Sequence, residues 1–342
     1  MKKKKPLMIV LLGVATILVL TGATICYLLF AEHFQIDKPS YIYLDKDDTN
    51  DSVYYKIEKA ADPISMAGFK MLSKLYNYSG NIHTGRYEIR PNDRLYQAFF
   101  RISRGRQKPI KLSFNNIRTR EQLANKLDKQ LMLDSAEIAG CLFDSAYCAG
   151  LGYQEETVIS LFIPNTYEVY WDITADDLFH RMQKEHDLFW TPERLAKAKE
   201  IGFTPVEVTT LASIVEEETN NNDEKPMVAG LYINRLHKDM FLQADPTVKF
   251  GLQDFSIKRI YGVHLSFDSP YNTYKYKGLP PGPIRIPSVK GIDSVLNYTR
   301  HDYIYMCAKE DFSGTHNFAS NYAEHQVNAK KYWNALNKRK IF

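Results

Sequence analysis

The sequence has 342 residues, of which 44% are hydrophobic and 25% charged. That length suits more than one average domain, and the composition excludes both a disordered tail and a multi-span transporter. The formal net charge is only +4, and Lys2, Lys3, Lys4 and Lys5 supply as much, so the rest of the chain carries no nucleic-acid footprint.

In chain order, the lysine cluster comes first and is followed by Leu7 to Phe30, an unbroken apolar run. A helix crosses the hydrocarbon core with about 20 apolar residues, so this run is long enough to span. The lysines predict a cytoplasmic N-terminus, with everything after residue 30 outside the membrane. A cleaved signal peptide is the competing reading, but its apolar region is typically about 7–15 residues. No small-x-small cleavage site follows the run, and Ile25 precedes Cys26 where a lipoprotein needs a small residue. Beyond the span remain Cys141, Cys148 and Cys307, an odd and irregular set that is no disulfide framework. Cys141 and Cys148 can pair or stay as two buried thiols.

Residues 31–50 read as a polar exit from the membrane. Tyr41 to Leu44 alternates weakly as a strand, and Val53 to Ala60 and Ile64 to Tyr76 carry helical spacing. A turn at His83-Thr-Gly-Arg leads into a strand ending at Ile89. Asp93 is placed to cap a helix running to about Ser103, Pro109 to Phe114 reads as a strand, and Thr119 caps Glu121 to Leu131. This alternation predicts a small α+β module over 31–131. From 132 to 342 the pattern favours longer helices: Leu178 to His186, Pro192 to Ile201 closed by Gly202, one opened by Thr204-Pro205, and Pro226 to Lys238. After Asp254 the chain is loop-rich, with Gly278-Leu-Pro-Pro-Gly-Pro283 its stiffest punctuation. A late strand at Tyr303 to Ala308 and a closing helix from Asn321 to Leu336 complete the α+β expectation.

Three consecutive glutamates, Glu216, Glu217 and Glu218, invite reading as a solvated helix face. Helical geometry separates them. With Leu211 at zero and about 100° per residue, Val208, Ala212, Ile214 and Val215 fill an apolar arc from roughly 300° to 100°. Glu216 and Glu217 fall outside it at roughly 140° and 240°, whereas Glu218 falls inside at roughly 340°. A poorly solvated carboxyl has a raised pKa, the property a general acid needs. An ion pair with Lys225 or Arg235 is the structural alternative.

At this point the sequence resembles a known family. Leu211-Ala-Ser-Ile-Val-Glu-Glu-Glu-Thr219 is similar to the signature helix of the YceG-like endolytic murein transglycosylases, and further motifs follow in order. They are Val228 to Leu236, Met240 to Val248, Tyr271-Asn-Thr-Tyr274, Gly278 to Ile284 with Pro287, and Gly314 to Phe318 leading to Glu324-His325. Leu161-Phe-Ile-Pro-Asn-Thr-Tyr167 resembles another motif with Asn165 in place of Asp, Phe250 stands for Tyr, and Gln326 for Asn. Gly85 to Ile89 is similar to part of the family's membrane-proximal module. The resemblance implies an N-terminal transmembrane helix, a LysM-like α+β module and a larger, mostly helical α+β catalytic domain. It also implies an extracytoplasmic lyase in the bacterial cell membrane that acts on peptidoglycan glycan strands and can associate with peptidoglycan synthases.

The implied reaction cleaves the β-1,4 bond between N-acetylmuramic acid and N-acetylglucosamine, leaving a 1,6-anhydro end, with Glu218 as acid and then base. Neither a cofactor nor a metal is required. Asp245 is the candidate second carboxylate, although Asp245-Pro246 also fits a helix cap. Gln243 suits an acetamido group or a turn. Tyr271, Asn272 and Tyr274 offer stacking and hydrogen bonds to a sugar, or simply pack a loop. His316 and His325 lack the partners of a metal site; His325 is placed to orient Glu324 or another site residue. A water-adding muramidase and a non-catalytic peptidoglycan-binding scaffold are the alternatives, and no protease motif is present.

Overall fold

The computed structural model describes residues 4–31 and 34–339. Residues 1–3 of the expected basic tail, with Lys2 and Lys3, lie outside the described residues, as do 32–33 and 340–342. The protein is α+β and divides into two compact units. Unit 1 comprises Met1–Leu112, Gln130–Met132 and Tyr167–Ile173; unit 2 comprises Ser113–Lys129, Leu133–Thr166 and Thr174–Phe342.

Unit 1 begins with helix α1 (Lys4–Phe30). Its stretch from Leu7 to Phe30 is a candidate membrane span by length and composition. Strand β1 (Ser40–Leu44) pairs antiparallel with β2 (Gly85–Ile89), register Ser40 with Ile89 and Leu44 with Gly85. Helices α2 (Asn50–Ala61) and α3 (Ala67–Leu75) lie between the two strands in sequence, and α4 (Leu95–Ser103) follows them. Edge-to-face aromatic contacts fill the core, with Phe69 5.2 Å from Phe99 and Tyr78 5.9 Å from Phe99 between ring centroids. Asp93 does not cap α4. Arg94 holds that position, and the Asp93 carboxylate instead accepts from the Arg90 amide (2.8 Å) and from Arg101 (2.5 and 2.9 Å). A second two-stranded sheet joins β3 (Ile110–Ser113), the strand expected at Pro109 to Phe114, to β4 (Thr166–Val169), which the sequence reading did not foresee.

Residues 113–129, expected in the first module, belong to unit 2. The reason is local: the Ile117 carbonyl accepts from the Ile286 amide (2.8 Å), and Arg118 pairs with Glu217 (2.9 Å). Unit 2 continues with α5 (Arg120–Asp128), α6 (Ser135–Leu142), α7 (Ser145–Gly150), α8 (Ala175–Phe189), α9 (Pro192–Ile201) and α10 (Pro205–Glu218). Then come α11 (Lys225–His237), α12 (Asp245–Leu252), the single turn α13 (Gly262–Leu265) and α14 (Val289–Leu296). Antiparallel β5 (Tyr305–Ala308) and β6 (His316–Ala319) precede the closing helix α15 (Tyr322–Lys338). Helix α10 packs against α9, α11, α12 and α14 and is the centre of this unit's apolar core. Cys141 and Cys148 are unpaired thiols.

The proline-rich loop is part of this core rather than a wall of the cleft described below. The Ile284 amide donates to Ser213 Oγ on α10 (3.0 Å), and Leu279 packs on the apolar cluster. Gly282 permits the approach: a Cβ there would stand 2.0 Å from the Glu156 carbonyl oxygen.

Candidate active site

Helix α10 forms because its ends are chemically defined. Thr204 caps it with a reciprocal box, its hydroxyl accepting from the Glu207 amide (3.3 Å) while Glu207 accepts from the Thr204 amide (2.8 Å). Pro205 then fits the first turn, where its missing N–H costs nothing. From Val208 to Val215 every residue is buried, so α10 has no outward face along this stretch. It ends at Thr219, which turns extended at φ −142° and ψ 134°.

That burial changes the reading of the three glutamates. Glu216 and Glu217 do not look out into water. Glu216 pairs with Lys225 (3.0 Å), itself only 3% exposed, and accepts from Ser288 Oγ (2.9 Å). Glu217 is held by Arg118 (2.9 Å) and Arg285 (2.7 Å). Glu218 alone of the three has no cationic partner among the described residues. It accepts a hydrogen bond from the Tyr232 hydroxyl (3.0 Å). Lys225 and Arg235, the two candidates for neutralising it, are engaged elsewhere. Arg235 donates to the carbonyls of Ile304, Phe241 and Leu242 and to Gln243 Oε1.

Glu218 is half-buried at the wall of a cavity of about 390 Å³. Burial pushes its carboxyl up to about 7, against the Tyr232 hydrogen bond that favours the anion. The nearby Asp245 charge raises it further and the Lys249 charge opposes. A carboxyl poised there holds its proton in a good fraction of molecules at neutral pH and can also act as the base.

The same cavity gathers Gln243, Asp245, Tyr274, His316 and His325. Asp245 is not a cap; Ala244 occupies that position, and the Asp245 carboxylate accepts from the Tyr274 hydroxyl (2.6 Å). Gln243 adopts a left-handed backbone (φ 54°), an uncommon conformation for a residue with a Cβ. Its amide is tied to the Thr273 carbonyl (3.1 Å). His316 reaches the cleft from β6 with its Nδ1 against Glu224 Oε2 (3.0 Å). A carboxylate only accepts, so Nδ1 carries the proton and a neutral ring keeps Nε2 as an acceptor. His325 does not orient Glu324. Its ring stacks on Tyr305 at 5.2 Å, its Nδ1 has no hydrogen-bond partner among the described residues, and burial with the Arg235 charge lowers its pKa.

Three expected residues are not brought to this cleft. Asn272 is fully buried, donating to the carbonyls of Leu265 (3.0 Å) and Phe267 (2.7 Å) and accepting from the Tyr274 amide (3.0 Å), so its burial and its own loop keep it from a sugar. Tyr271 lines a separate cavity with Arg118 and Pro283 and packs on Phe250 at 4.7 Å. Glu324 sits at the exposed start of α15, accepting from the Ser320 amide and hydroxyl (3.2 Å each). Among the described residues, no group of three His, Cys, Asp or Glu side chains is placed to share a metal ion.

The YceG-like family model matches residues 42–331, most of the chain. The chain belongs to the YceG-like family. An endolytic murein transglycosylase of Streptococcus pneumoniae strain D39 is 31% identical over 176 residues, covering 50% of this chain and 32% of that protein. One of Bacillus subtilis strain 168 is 31% identical over 168 residues, covering 49% of this chain and 46% of its own length. The matches thus span less than half of these curated relatives. A crystal structure of a YceG-like protein from Listeria monocytogenes superimposes with a TM-score of 0.55 at 26% identity. That similarity covers 85% of this chain and 99% of the other.

In this YceG-like chain the cleft and the side chains behind it also include groups that sequence reasoning missed. Tyr232, buried beside Glu218, lies in an apolar helical pattern where nothing marks its hydroxyl as special. Glu224 is buried behind the cleft and holds Thr219 Oγ1 (2.9 Å) together with the His316 amide (2.6 Å) and ring. Its nearness to the signature helix in sequence was the available signal. Tyr305 and Tyr322 add aromatic surface from β5 and α15.

Proposed function

We propose that this YceG-like protein is an endolytic lytic transglycosylase of peptidoglycan glycan strands, with Glu218 as its catalytic residue. One observation carries the reading: the Glu218 carboxyl, without an ion-pair partner among the described residues, is half-buried in a cleft with a pKa of about 7. Glu218 protonates the glycosidic oxygen between N-acetylmuramic acid and N-acetylglucosamine, breaking its bond to C1. As the carboxylate it then takes the proton of the 6-hydroxyl as that oxygen bonds to C1, closing the 1,6-anhydro ring. The proton balance closes on one group, with no water consumed. Gln243, Asp245, Tyr274, His316 and His325 are the substrate-facing polar groups in this reading.

Asp245 is the observation that favours the hydrolytic alternative, because ordinary glycosidases use two carboxyl groups. Its hydrogen bond from Tyr274 suits a binding residue better than a free base. Glu218→Gln should lower cleavage of isolated glycan strands by at least about a hundredfold while leaving binding in place. Products of the unmodified enzyme should carry anhydro ends; reducing ends would overturn the transglycosylase reading, and undiminished cleavage by the variant would remove Glu218 from the mechanism.

The strand–helix–helix–strand order of β1, α2, α3 and β2, with its antiparallel pairing, supports a LysM-like reading of unit 1. Leu7 to Phe30 serves as an uncleaved anchor with the N-terminus cytoplasmic and everything after residue 30 outside. Work beside peptidoglycan synthases follows from the family resemblance.

A further inference from the structure

Unit 1 contains a cavity of about 480 Å³ that the proposed reaction does not use. Five cations and two carboxylates line it. Arg90 is spent on Glu88 (2.8 Å) and Arg101 on Asp93. Arg104, Arg106 and Lys108 are exposed and have no ion-pair partner among the described residues. Arg104 is held over the Phe100 ring at 4.5 Å, which keeps its guanidinium at the cavity.

The location of this cavity is as informative as its charge. The Phe30 ring, at the end of the apolar helix, lies 5.0 Å from that of Tyr96, and Tyr96 lines the cavity. The helix end is firmly docked: Leu29 packs on the unit 1 core, and α3 approaches so closely that a Cβ on Gly68 would stand 2.6 Å from the Leu28 carbonyl oxygen. Tyr76, 5.1 Å from Phe100, and Leu75 extend an exposed apolar fringe next to it. Aromatic rings with basic side chains are the composition of a membrane–water interface.

We propose that this cavity binds the phosphate headgroup of an anionic phospholipid, holding unit 1 against the bilayer that α1 crosses. The proposal rests on the anchor reading and goes beyond the cleavage reaction. Guanidinium forks match phosphate oxygens, and three basic groups near an anionic surface strengthen attachment on the order of a hundredfold.

The full chain reconstituted in nanodiscs tests it, with phosphatidylcholine alone compared against discs containing phosphatidylglycerol. Amide exchange over residues 101–108 should slow about tenfold in the anionic discs, and high salt should reverse this. The triple variant Arg104→Gln, Arg106→Gln, Lys108→Gln should lose the difference, while unchanged exchange in β1 and β2 reports an intact fold. Equal exchange in both discs, or a difference that survives in the triple variant, overturns the headgroup site. Equal protection by inorganic phosphate in neutral discs assigns the cavity to a free anion and overturns the lipid. Failure of the chain to enter neutral discs refutes the anchor reading itself, and the headgroup site with it.

Discussion

Glu218 differs from its two neighbours in what it lacks. Lys225 compensates Glu216, and Arg118 with Arg285 compensates Glu217, whereas Glu218 meets only the Tyr232 hydroxyl. The sign of the consequence for stability follows from the two pKa values. The unfolded carboxyl titrates near 4.5 and the folded one near 7, so between these values the folded chain binds the extra proton. The contribution is therefore fully present below pH 4.5 and lost as pH rises through 7. Glu218→Gln removes this loss. The variant should match the parent near pH 4 and exceed it by up to about 3 kcal/mol at pH 8, read from urea unfolding at both pH values. A stability difference independent of pH would mean that Glu218 is ionised normally in the folded protein.

At the scale of elements, α10 is buried on every side from Val208 to Val215, and its last turn is placed by ion pairs rather than by an amphipathic face. Lys225, at the start of α11, is nearly inaccessible and ties the end of α10 through Glu216. Lys225→Met would leave the Glu216 carboxylate in poor solvent with only Ser288 for company. A loss of about 3–5 kcal/mol is expected, measured as a lower urea midpoint at unchanged slope. A loss below about 1 kcal/mol would place Glu216 effectively in water. The β5–β6 hairpin contributes differently. Apart from the buried Ala319 its residues are only partly buried, yet it carries His316, Tyr305 and Cys307 to the cleft.

For the whole molecule, each unit has its own apolar core, and the cleft with Glu218 lies entirely within unit 2. The apolar helix belongs to unit 1, and its last turn alone packs there. A chain lacking residues 1–26 keeps that turn, closed by the Ala31 amide on the Tyr27 carbonyl, and both cores. It should leave the membrane pellet after a high-salt wash and still cleave isolated glycan strands at a rate close to that of the full chain. Lost cleavage with an intact far-ultraviolet spectrum would tie the reaction to the membrane helix.

The local, short-range features were determined by the sequence alone. A 24-residue apolar run, Thr191, Thr204 and Asn321 as caps, and Gly202 as a stop act within a turn of themselves. Periodicity also singled out Glu218, because the helical angle of a side chain is set by residue number. Periodicity failed for Glu216 and Glu217, since it ranks faces by apolarity and cannot see cations arriving from Arg118, Lys225 and Arg285. The cap reading failed for Asp245, whose carboxylate turned to Tyr274 in the cleft, and the sugar-contact reading failed for Asn272, whose amide was consumed by its own loop. Only tertiary structure decided which polar groups share the cleft, because hydrogen-bond partners 14 or 92 positions apart, such as Tyr232 with Glu218 and Glu224 with His316, are joined by packing and not by spacing.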